Sequence, residues 1–288
     1  MTTNGCRFIP SRAAFSLIEL LVVVGIIGIL AALILAAVNR AKESGLKTEC
    51  LSNQDQLNTT WALFATDNND DLVANYPWRK FGRPVFTGPV NERFHIPWVT
   101  GTGHPNIGGM TDEAFILDPQ FAAFAPYLRR KEIYRCPSTR EVITGKEAIR
   151  SYGMNPFMGN YHDSVFGTNW FRFRHMEDIT RPEFYFTFMD LNQKFICFPM
   201  MIVHMDRNAW HHPPSTEHNY GATIAFADGH VEYKRWREDP TQGSAAHPRW
   251  NVGPHSTLTQ PGDQDVAWVR EHATFEILRN SGPGGEPQ

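Results

Sequence analysis

The first feature of the chain is a long apolar block near the N-terminus. Residues 15–38 read FSLIELLVVVGIIGILAALILAAV and contain one charged residue, Glu19. As a helix, this block would span about 36 Å, because each residue adds 1.5 Å. The hydrocarbon core of a bilayer is roughly 30 Å thick. The pattern therefore predicts a membrane-spanning helix over residues 15–38.

The pattern changes after residue 38, where apolar residues recur in steps of three and four. The apolar residues are Leu46, Cys50, Leu57, Trp61 and Phe64, and the polar Asn53 or Gln54 occupies the one position missing between Cys50 and Leu57. Such spacing is typical of an amphipathic helix that packs one face on a sheet. The polar run DNNDD at 67–71 predicts the end of the helix. We therefore expect the membrane half to continue into an amphipathic half over 39–66.

The sequence from residue 67 to residue 238 predicts a globular, β-rich domain. It predicts a short helix near 118–128 and strands at 183–189 and 195–203. Together with the long helix, these elements predict an α+β fold in which an N-terminal helix packs on an antiparallel sheet.

The clearest hairpin signal lies at 220–236. Asp228-Gly229 stands there between two β-rich runs and predicts a tight turn with positive φ at both residues. Residues 239–288, which are rich in Pro, Gly and His, are expected to form a C-terminal tail.

Composition and charge exclude several classes of function. The net charge of the 288 residues is −3, and there is no basic stripe, so nucleic-acid binding has little support. The chain contains no P-loop, no GxSxG elbow, no GxGxxG turn and no HExxH motif. The sequence therefore predicts a protein that is not an enzyme.

The single acid in the apolar block separates three interpretations of the N-terminus. These are a cleaved secretory signal, a plain membrane anchor and a prepilin signal. The apolar region of a secretory signal is about 7–15 residues long, which is shorter than this block. A carboxylate near the bilayer centre costs roughly 2.5–3.5 kcal/mol, so Glu19 is expected to be functional. Arg7 and Arg12 precede the block and predict a cytoplasmic N-terminus.

Residues 14–20, AFSLIEL, resemble the processing site of type IV prepilins. The resemblance implies that a prepilin peptidase removes the leader 1–14 by cutting between Ala14 and Phe15. It also implies that the new N-terminus is methylated and that Glu19 pairs with the terminal amine of a neighbouring subunit. The family usually has Gly before the cut, where this chain has Ala14.

The same resemblance implies a single-pass inner-membrane protein with a periplasmic domain. Its partners would be other pilin or pseudopilin subunits and an assembly ATPase with its platform. Together the subunits would form a filament in the envelope or at the cell surface. A face of small residues would pack the helices closely. Its members are Gly25, Gly28, Ala32 and Ala36. Pilus, type II secretion and DNA-uptake roles, and major and minor subunits, stay open.

A second resemblance lies in the domain, where His218 is followed after nine residues by Asp228-Gly229. This spacing is similar to the H-x9-DG motif of a group of pilin-like proteins. Further matching pieces are Cys50 with Asn53, Asp67-Asn68, Cys136-Pro137-Ser138 and residues 151–155, SYGMN.

Two interpretations of His218 and Asp228 remain. One is a structural role at the turn. The other is a metal site, for which His218, Asp228 and His230 are the candidate zinc ligands. Calcium at residues 67–71 is a separate alternative, although that run lacks the Gly and Glu of an EF-hand. We expect no resident cofactor.

Four cysteines are present, Cys6, Cys50, Cys136 and Cys197, and none forms a CxxC pair. Because an exported domain favours disulfides, we expect a bridge between Cys50 and Cys136. Cys197 is expected to be a buried thiol.

The dense aromatic residues predict a packed core. They also leave an alternative function open, namely a membrane-anchored surface module that binds a ligand such as a carbohydrate and does not polymerise.

Overall fold

The structure is a computed structural model of the chain, which falls into two compact units, Met1–Gly45 and Leu46–Gln288. It describes residues 16–75, 96–100, 110–139, 142–143, 145–159, 169–196, 198–206, 208–238, 257–258 and 262–277. The helices in these residues are α1 (Leu17–Asp67), α2 (Ala114–Leu117) and α3 (Gln264–Ala273), with 3₁₀ turns at Lys131–Tyr134, Met176–Asp178 and Gln193–Phe195.

The strands of the described residues form one larger sheet and two small ones. Strands β3, β4, β6 and β7 form an antiparallel sheet in that order, whereas β1 pairs with β2 and β5 pairs with β8. The strands are β1 (Val142–Ile143), β2 (Lys146–Glu147), β3 (Tyr152–Met154), β4 (Phe186–Asp190), β5 (Ala209–Trp210), β6 (Gly221–Phe226), β7 (Val231–Arg235) and β8 (Thr257–Leu258). A long N-terminal helix and an antiparallel sheet confirm the predicted α+β class.

Helix α1 begins with a capping box, in which two residues satisfy each other's backbone groups. The backbone N–H of Ser16 donates to Glu19 Oε2 at 2.9 Å, and the N–H of Glu19 donates to Ser16 Oγ at 3.2 Å. The large apolar side chains from Leu17 to Val38 are 45–79% exposed. The first unit therefore presents an exposed apolar helix surface.

The second half of α1 buries the face that the sequence predicts. Its buried residues are Cys50, Asn53, Gln54, Leu57, Asn58, Thr60, Trp61, Phe64 and Ala65. Gln54 Nε2 donates to the carbonyl oxygen of Thr223 in β6 at 2.6 Å, and Asn58 Nδ2 donates to that of Phe226 at 2.7 Å. This half of the helix therefore packs on the larger sheet through both apolar contacts and hydrogen bonds.

The polar run after α1 ends the helix as predicted. Asn69 and Asp70 take the left-handed conformation, with φ of 57° and 63°. This turn lets the N–H of Asp70 donate to the carbonyl oxygen of Ala65 at 2.8 Å. Asn and Asp tolerate this conformation better than most side chains, so the end of the helix follows from local chemistry.

Two of the smaller predictions are wrong. The short helix lies at Ala114–Leu117 rather than at 118–128, because Pro119 forces the preceding Asp118 into an extended conformation (φ −96°, ψ 123°). No strand forms over the described part of 195–203, which contains isolated bridges at Met200 and Val203. Pro199, which has no N–H to donate, interrupts the run there. Strand β4 confirms the strand predicted at 183–189, with a later start.

The hairpin predicted at 220–236 is confirmed by the pairing of β6 with β7. Its turn differs from the prediction, because Gly229 alone has positive φ (103°) and Asp228 does not. The N–H of Asp228 donates instead to the carbonyl oxygen of Pro182 at 3.1 Å, and Asp228 Oδ1 accepts from the N–H of His230. The loop is thus wider than a two-residue turn.

The prediction that residues 239–288 form a tail needs correction for its described part, which contributes to the core. Asp263 caps α3 by accepting from the N–H groups of Asp265 and Val266 at 2.9 and 3.1 Å. Val266, Val269 and Ala273 are fully buried in the same core as α1 and the larger sheet. Their helical spacing was hidden by the Pro- and Gly-rich sequence on both sides.

Candidate functional site

The first candidate site is the start of α1. The predicted cleavage residues Ala14 and Phe15 lie outside the described residues, whereas Glu19 lies in the first turn of the helix. Among the described residues Glu19 has hydrogen bonds with Ser16 and no ion pair. Its carboxyl group thus has a local structural role in the first turn of the helix.

The predicted small-residue face is open in the described structure. Gly25, Gly28, Ala32 and Ala36 are all exposed. A Cβ placed on Gly25 or Gly28 would meet no atom within 4 Å. Another helix could therefore approach the α1 backbone closely along this face.

The second candidate site is a buried cluster of four chemically active side chains. Cys50 lies in α1, Cys136 follows the 3₁₀ turn Lys131–Tyr134, Asp190 ends β4, and His218 precedes β6. Each is at most 1% exposed. Their candidate ligand atoms all lie within 4.8 Å of one another.

The contacts within the cluster centre on the two sulfurs. Cys50 Sγ lies 3.1 Å from the hydroxyl oxygen of Tyr152 and 3.0 Å from Thr223 Oγ1. It also lies 3.9 Å from Asp190 Oδ2. Cys136 Sγ lies 3.1 Å from Nε2 of His218.

The larger sheet and its loops bring these residues together. Antiparallel pairing of β3 with β4 places Tyr152 opposite Asp190. The N–H of Cys136 donates to Ser151 Oγ at 2.7 Å, which holds the loop of Cys136 beside the start of β3. The N–H of Ser215 donates to the carbonyl oxygen of Asp190 at 2.9 Å, which holds the segment before His218 beside the end of β4.

Burial changes the acid–base properties of the cluster. Burial raises the pKa of Asp190 to about 6, although His218 and hydrogen bonds from Ser151, Ser215 and Cys136 act in the opposite direction. A hydrogen bond with Cys50 and then burial raise the pKa of Cys136, and the hydrogen bond with His218 lowers it. The pKa of Tyr152 is also raised, mainly by burial. Without a bound cation, the cluster therefore favours the neutral thiol of Cys136.

The structure separates the three metal ligands that the sequence suggested. His218 lies in the buried cluster, whereas Asp228 and His230 lie at the turn of the β6–β7 hairpin. There Asp228 Oδ1 is 2.6 Å from His230 Nδ1, and the His230 ring stacks on Phe226 with centroids 4.3 Å apart. Among the described residues, the buried cluster is the one group of three or more His, Cys, Asp or Glu side chains placed to share an ion.

The other predicted sites have simpler outcomes. Cys50 and Cys136 are free thiols in the structure, and the disulfide stays a prediction. Cys6 and Cys197 lie outside the described residues. In the run proposed for calcium, Asp67 accepts from the Tyr127 hydroxyl at 2.9 Å, and Asp71 pairs with His175 at 3.0 Å.

Sequence reasoning missed Asp190 as a site residue. The sequence signal for it is that an acid, Asp190, directly follows the run predicted as a strand at 183–189, and the structure buries all five residues of β4. A fully buried carboxylate needs hydrogen bonds or a cation. Thr223 and Gln54 were not recognisable in this way, since Thr223 is one of the unspecified positions of the H-x9-DG motif and Gln54 lies in no motif.

The described aromatic residues lie mainly in the core, as predicted. Trp61, Trp98 and Trp210 are fully buried, and Trp98 Nε1 donates to the carbonyl oxygen of Pro199 at 2.8 Å. Tyr220 is an exception at 56% exposed.

The long helix with an exposed apolar half and an antiparallel sheet on its other half has the α+β arrangement of pilins. The family described as the prokaryotic N-terminal methylation motif matches residues 9–35, so the chain carries a prepilin-type signal. By length and composition, α1 could also cross a membrane. The signal favours membrane anchoring and a structural subunit. No curated protein and no solved structure matches the chain.

Proposed function

We propose that the protein is a structural subunit of a filament like the type IV pilus or the type II secretion filament. A prepilin peptidase would cut after Ala14, and the new terminus at Phe15 would be methylated. Before assembly the subunit would be anchored in the inner membrane, with its N-terminus in the cytoplasm and its domain in the periplasm. An assembly ATPase and its platform would then add it to the filament.

The observation that carries this proposal is the methylation motif at residues 9–35 on a helix whose apolar half is exposed. An apolar surface of this length needs lipid or other helices around it, and a filament of packed subunits supplies the latter. Glu19 supports the same conclusion. A buried carboxylate is stabilised by a cation, and cleavage before Phe15 would create one at the terminus of a neighbouring subunit.

The first test is the mature N-terminus, read by mass spectrometry on protein from the native cell. We expect a methylated Phe15 as the first residue. A chain that still begins at Met1, or that begins beyond residue 38, would contradict the proposal.

The second test separates the charge of Glu19 from its capping role. Glu19→Gln keeps an acceptor for the Ser16 N–H but removes the charge, whereas Ser16→Ala removes the side-chain cap and keeps the charge. We expect Glu19→Gln to abolish filament recovery in sheared fractions while membrane levels stay normal. Ser16→Ala should still assemble. Normal filaments from Glu19→Gln, with a processed terminus, would contradict the proposed role of the Glu19 charge. A wild-type chain that is processed but enters no filament would favour a membrane-anchored binding module that does not polymerise.

A further inference from the structure

The four side chains of the buried cluster come from distant parts of the sequence. Cys50 and Asp190 are 140 residues apart, and Cys136 and His218 are 82 residues apart. Each lies on a different element of the Leu46–Gln288 unit: a helix, a loop, a strand end and the approach to a strand. Their side chains nevertheless point to one place, where all four donor atoms lie within 4.8 Å of one another. A shared ligand would explain this convergence.

The donor set has the chemistry of a zinc site. Two thiols, one imidazole and one carboxylate are ligand types that zinc accepts in tetrahedral geometry, and four protein ligands are typical of a structural site. A tetrahedral ion with Zn–S bonds of about 2.3 Å requires its two sulfurs to lie roughly 3.7 Å apart. No pair of the four donors is more than 4.8 Å apart, so the longest separation exceeds that tetrahedral spacing by about 1 Å at most.

Neighbouring hydroxyl groups are placed to support a thiolate at Cys50. Gln54 Nε2 donates to Thr223 Oγ1 at 2.8 Å, so the Thr223 hydroxyl is oriented to donate its own hydrogen elsewhere. Cys50 Sγ lies 3.0 Å from that hydroxyl and 3.1 Å from the hydroxyl of Tyr152. Metal-bound thiolates commonly accept such outer hydrogen bonds, which orient the ligand and stabilise its charge.

Two simpler arrangements explain less of the cluster. A Cys50–Cys136 disulfide would use the two sulfurs and leave Asp190 and His218 buried without a role in it. A network of hydrogen bonds supplies the Asp190 carboxyl with partners, but it keeps two weakly hydrogen-bonding thiols at 0% exposure. A divalent cation uses all four donors at once.

We infer that Cys50, Cys136, Asp190 and His218 bind one divalent transition-metal ion, with zinc the best fit, and that this ion fastens the second half of α1 to the larger sheet. Binding releases the two thiol protons to water, and His218 coordinates as a neutral imidazole. Because the four residues are buried, the ion enters while the domain folds. Its binding energy then contributes to folding, as in other structural zinc sites.

The test uses the full chain, purified in detergent from cells supplied with zinc and without chelators. Elemental mass spectrometry should find one zinc per chain. Reduced protein that is refolded with cobalt in place of zinc should show thiolate-to-cobalt charge transfer and the visible absorption of tetrahedral cobalt. This measurement does not depend on any variant being able to fold.

Variants then assign the ligands. Loss of an outer partner alone typically weakens metal affinity about 10–100-fold, so loss of a ligand in Cys136→Ser or His218→Ala should weaken zinc affinity by at least about tenfold, measured by competition with a chelator. The exposed pair of the hairpin supplies the control, so Asp228→Asn and His230→Gln should keep the wild-type affinity. Unchanged zinc affinity in Cys136→Ser, or weakened affinity in the hairpin variants, would overturn the assignment.

Two results on the wild-type chain would also overturn the inference. One is a reduced, folded protein that contains no metal and does not take up cobalt. The other is a Cys50–Cys136 disulfide, seen by peptide mapping without reductant in protein that was never exposed to a chelator.

Discussion

The two halves of helix α1 have the same secondary structure and opposite environments. Around Leu30 every large apolar side chain is exposed, whereas Leu57 and Trp61 are buried against the larger sheet and its loops. The first half is nearly free of polar side chains, while the second half buries Asn53, Gln54 and Asn58. The difference shows which half is stabilised by its own domain and which half needs a membrane or other subunits.

Matched Leu→Ala substitutions in the two halves should give the largest contrast. Leu57→Ala leaves a cavity in the core, and we expect a loss of about 2–5 kcal/mol in the free energy of unfolding. Leu30→Ala removes a side chain that is 53% exposed, so the unfolding of the domain should not change. Denaturant unfolding of the full chain in detergent measures both. An equal loss of unfolding free energy in the two variants would show that both halves contribute to the stability of the domain.

The buried polar residues of the second half should matter almost as much. Asn58 donates to the carbonyl oxygen of Phe226 and accepts from the hydroxyl of Thr187 at 2.6 Å. Asn58→Ala leaves both groups buried without this partner, and we expect a loss of about 1–3 kcal/mol. Asp55→Ala, on the exposed side of the same turn, is the control and should be close to neutral. The same denaturant unfolding experiment measures both variants. An unchanged free energy of unfolding in Asn58→Ala would mean that these hydrogen bonds make no net contribution to stability.

A smaller, pH-dependent effect should come from His272. Its ring stacks between Phe184 and Trp268, with centroids 4.2 and 3.9 Å away, and burial lowers its pKa below 6.5. Lys234 and Arg181 lower this pKa further, while Glu271 and a hydrogen bond to the Trp268 carbonyl oxygen raise it. Because the unfolded chain binds this proton more tightly, the contribution of His272 to stability should fall as the pH drops below about 6.5.

The comparison that isolates this effect is with His272→Phe, which keeps an aromatic ring and cannot titrate. Melting temperatures measured from pH 7 to pH 5 should fall more steeply for the wild type than for the variant. Parallel curves would show that His272 does not contribute to the pH dependence.

Gly28→Leu should have no effect on the domain and a clear effect on assembly. An added side chain at Gly28 meets no atom of the described chain within 4 Å, so the melting temperature should not change. If the small-residue face packs against other helices, the bulk of Leu should reduce the filament yield in sheared fractions. Ile29→Leu, which changes an already large exposed residue, is the control. Full assembly of Gly28→Leu would place the contact face elsewhere on the helix.

The inferred metal site belongs to the second half of this comparison. Cys50 lies on the buried face of α1 one turn before Gln54, which donates to the backbone and hydroxyl of Thr223. An ion bound there would join the helix, a loop and the sheet at one point. The second half of α1 would then be held by apolar burial, polar hydrogen bonds and coordination.

The sequence determined the features that depend on local pattern. The apolar block, the spacing from Leu46 to Phe64 and the polar run at 67–71 each specify helix, face and helix end within a few neighbouring residues. The hairpin at 220–236 followed for the same reason. Glu19 was recognisable because it is the single charged residue in an apolar block.

Tertiary structure decided what depends on distant contacts. Helix α3 joins the core through three small or branched residues that a Pro- and Gly-rich sequence surrounds, and its burial depends on surfaces formed far away in the chain. The cluster of Cys50, Cys136, Asp190 and His218 likewise has no short spacing that would mark it. Its geometry arises when the pairing of β3 with β4 and the packing of α1 on β6 bring four separate segments to one buried point.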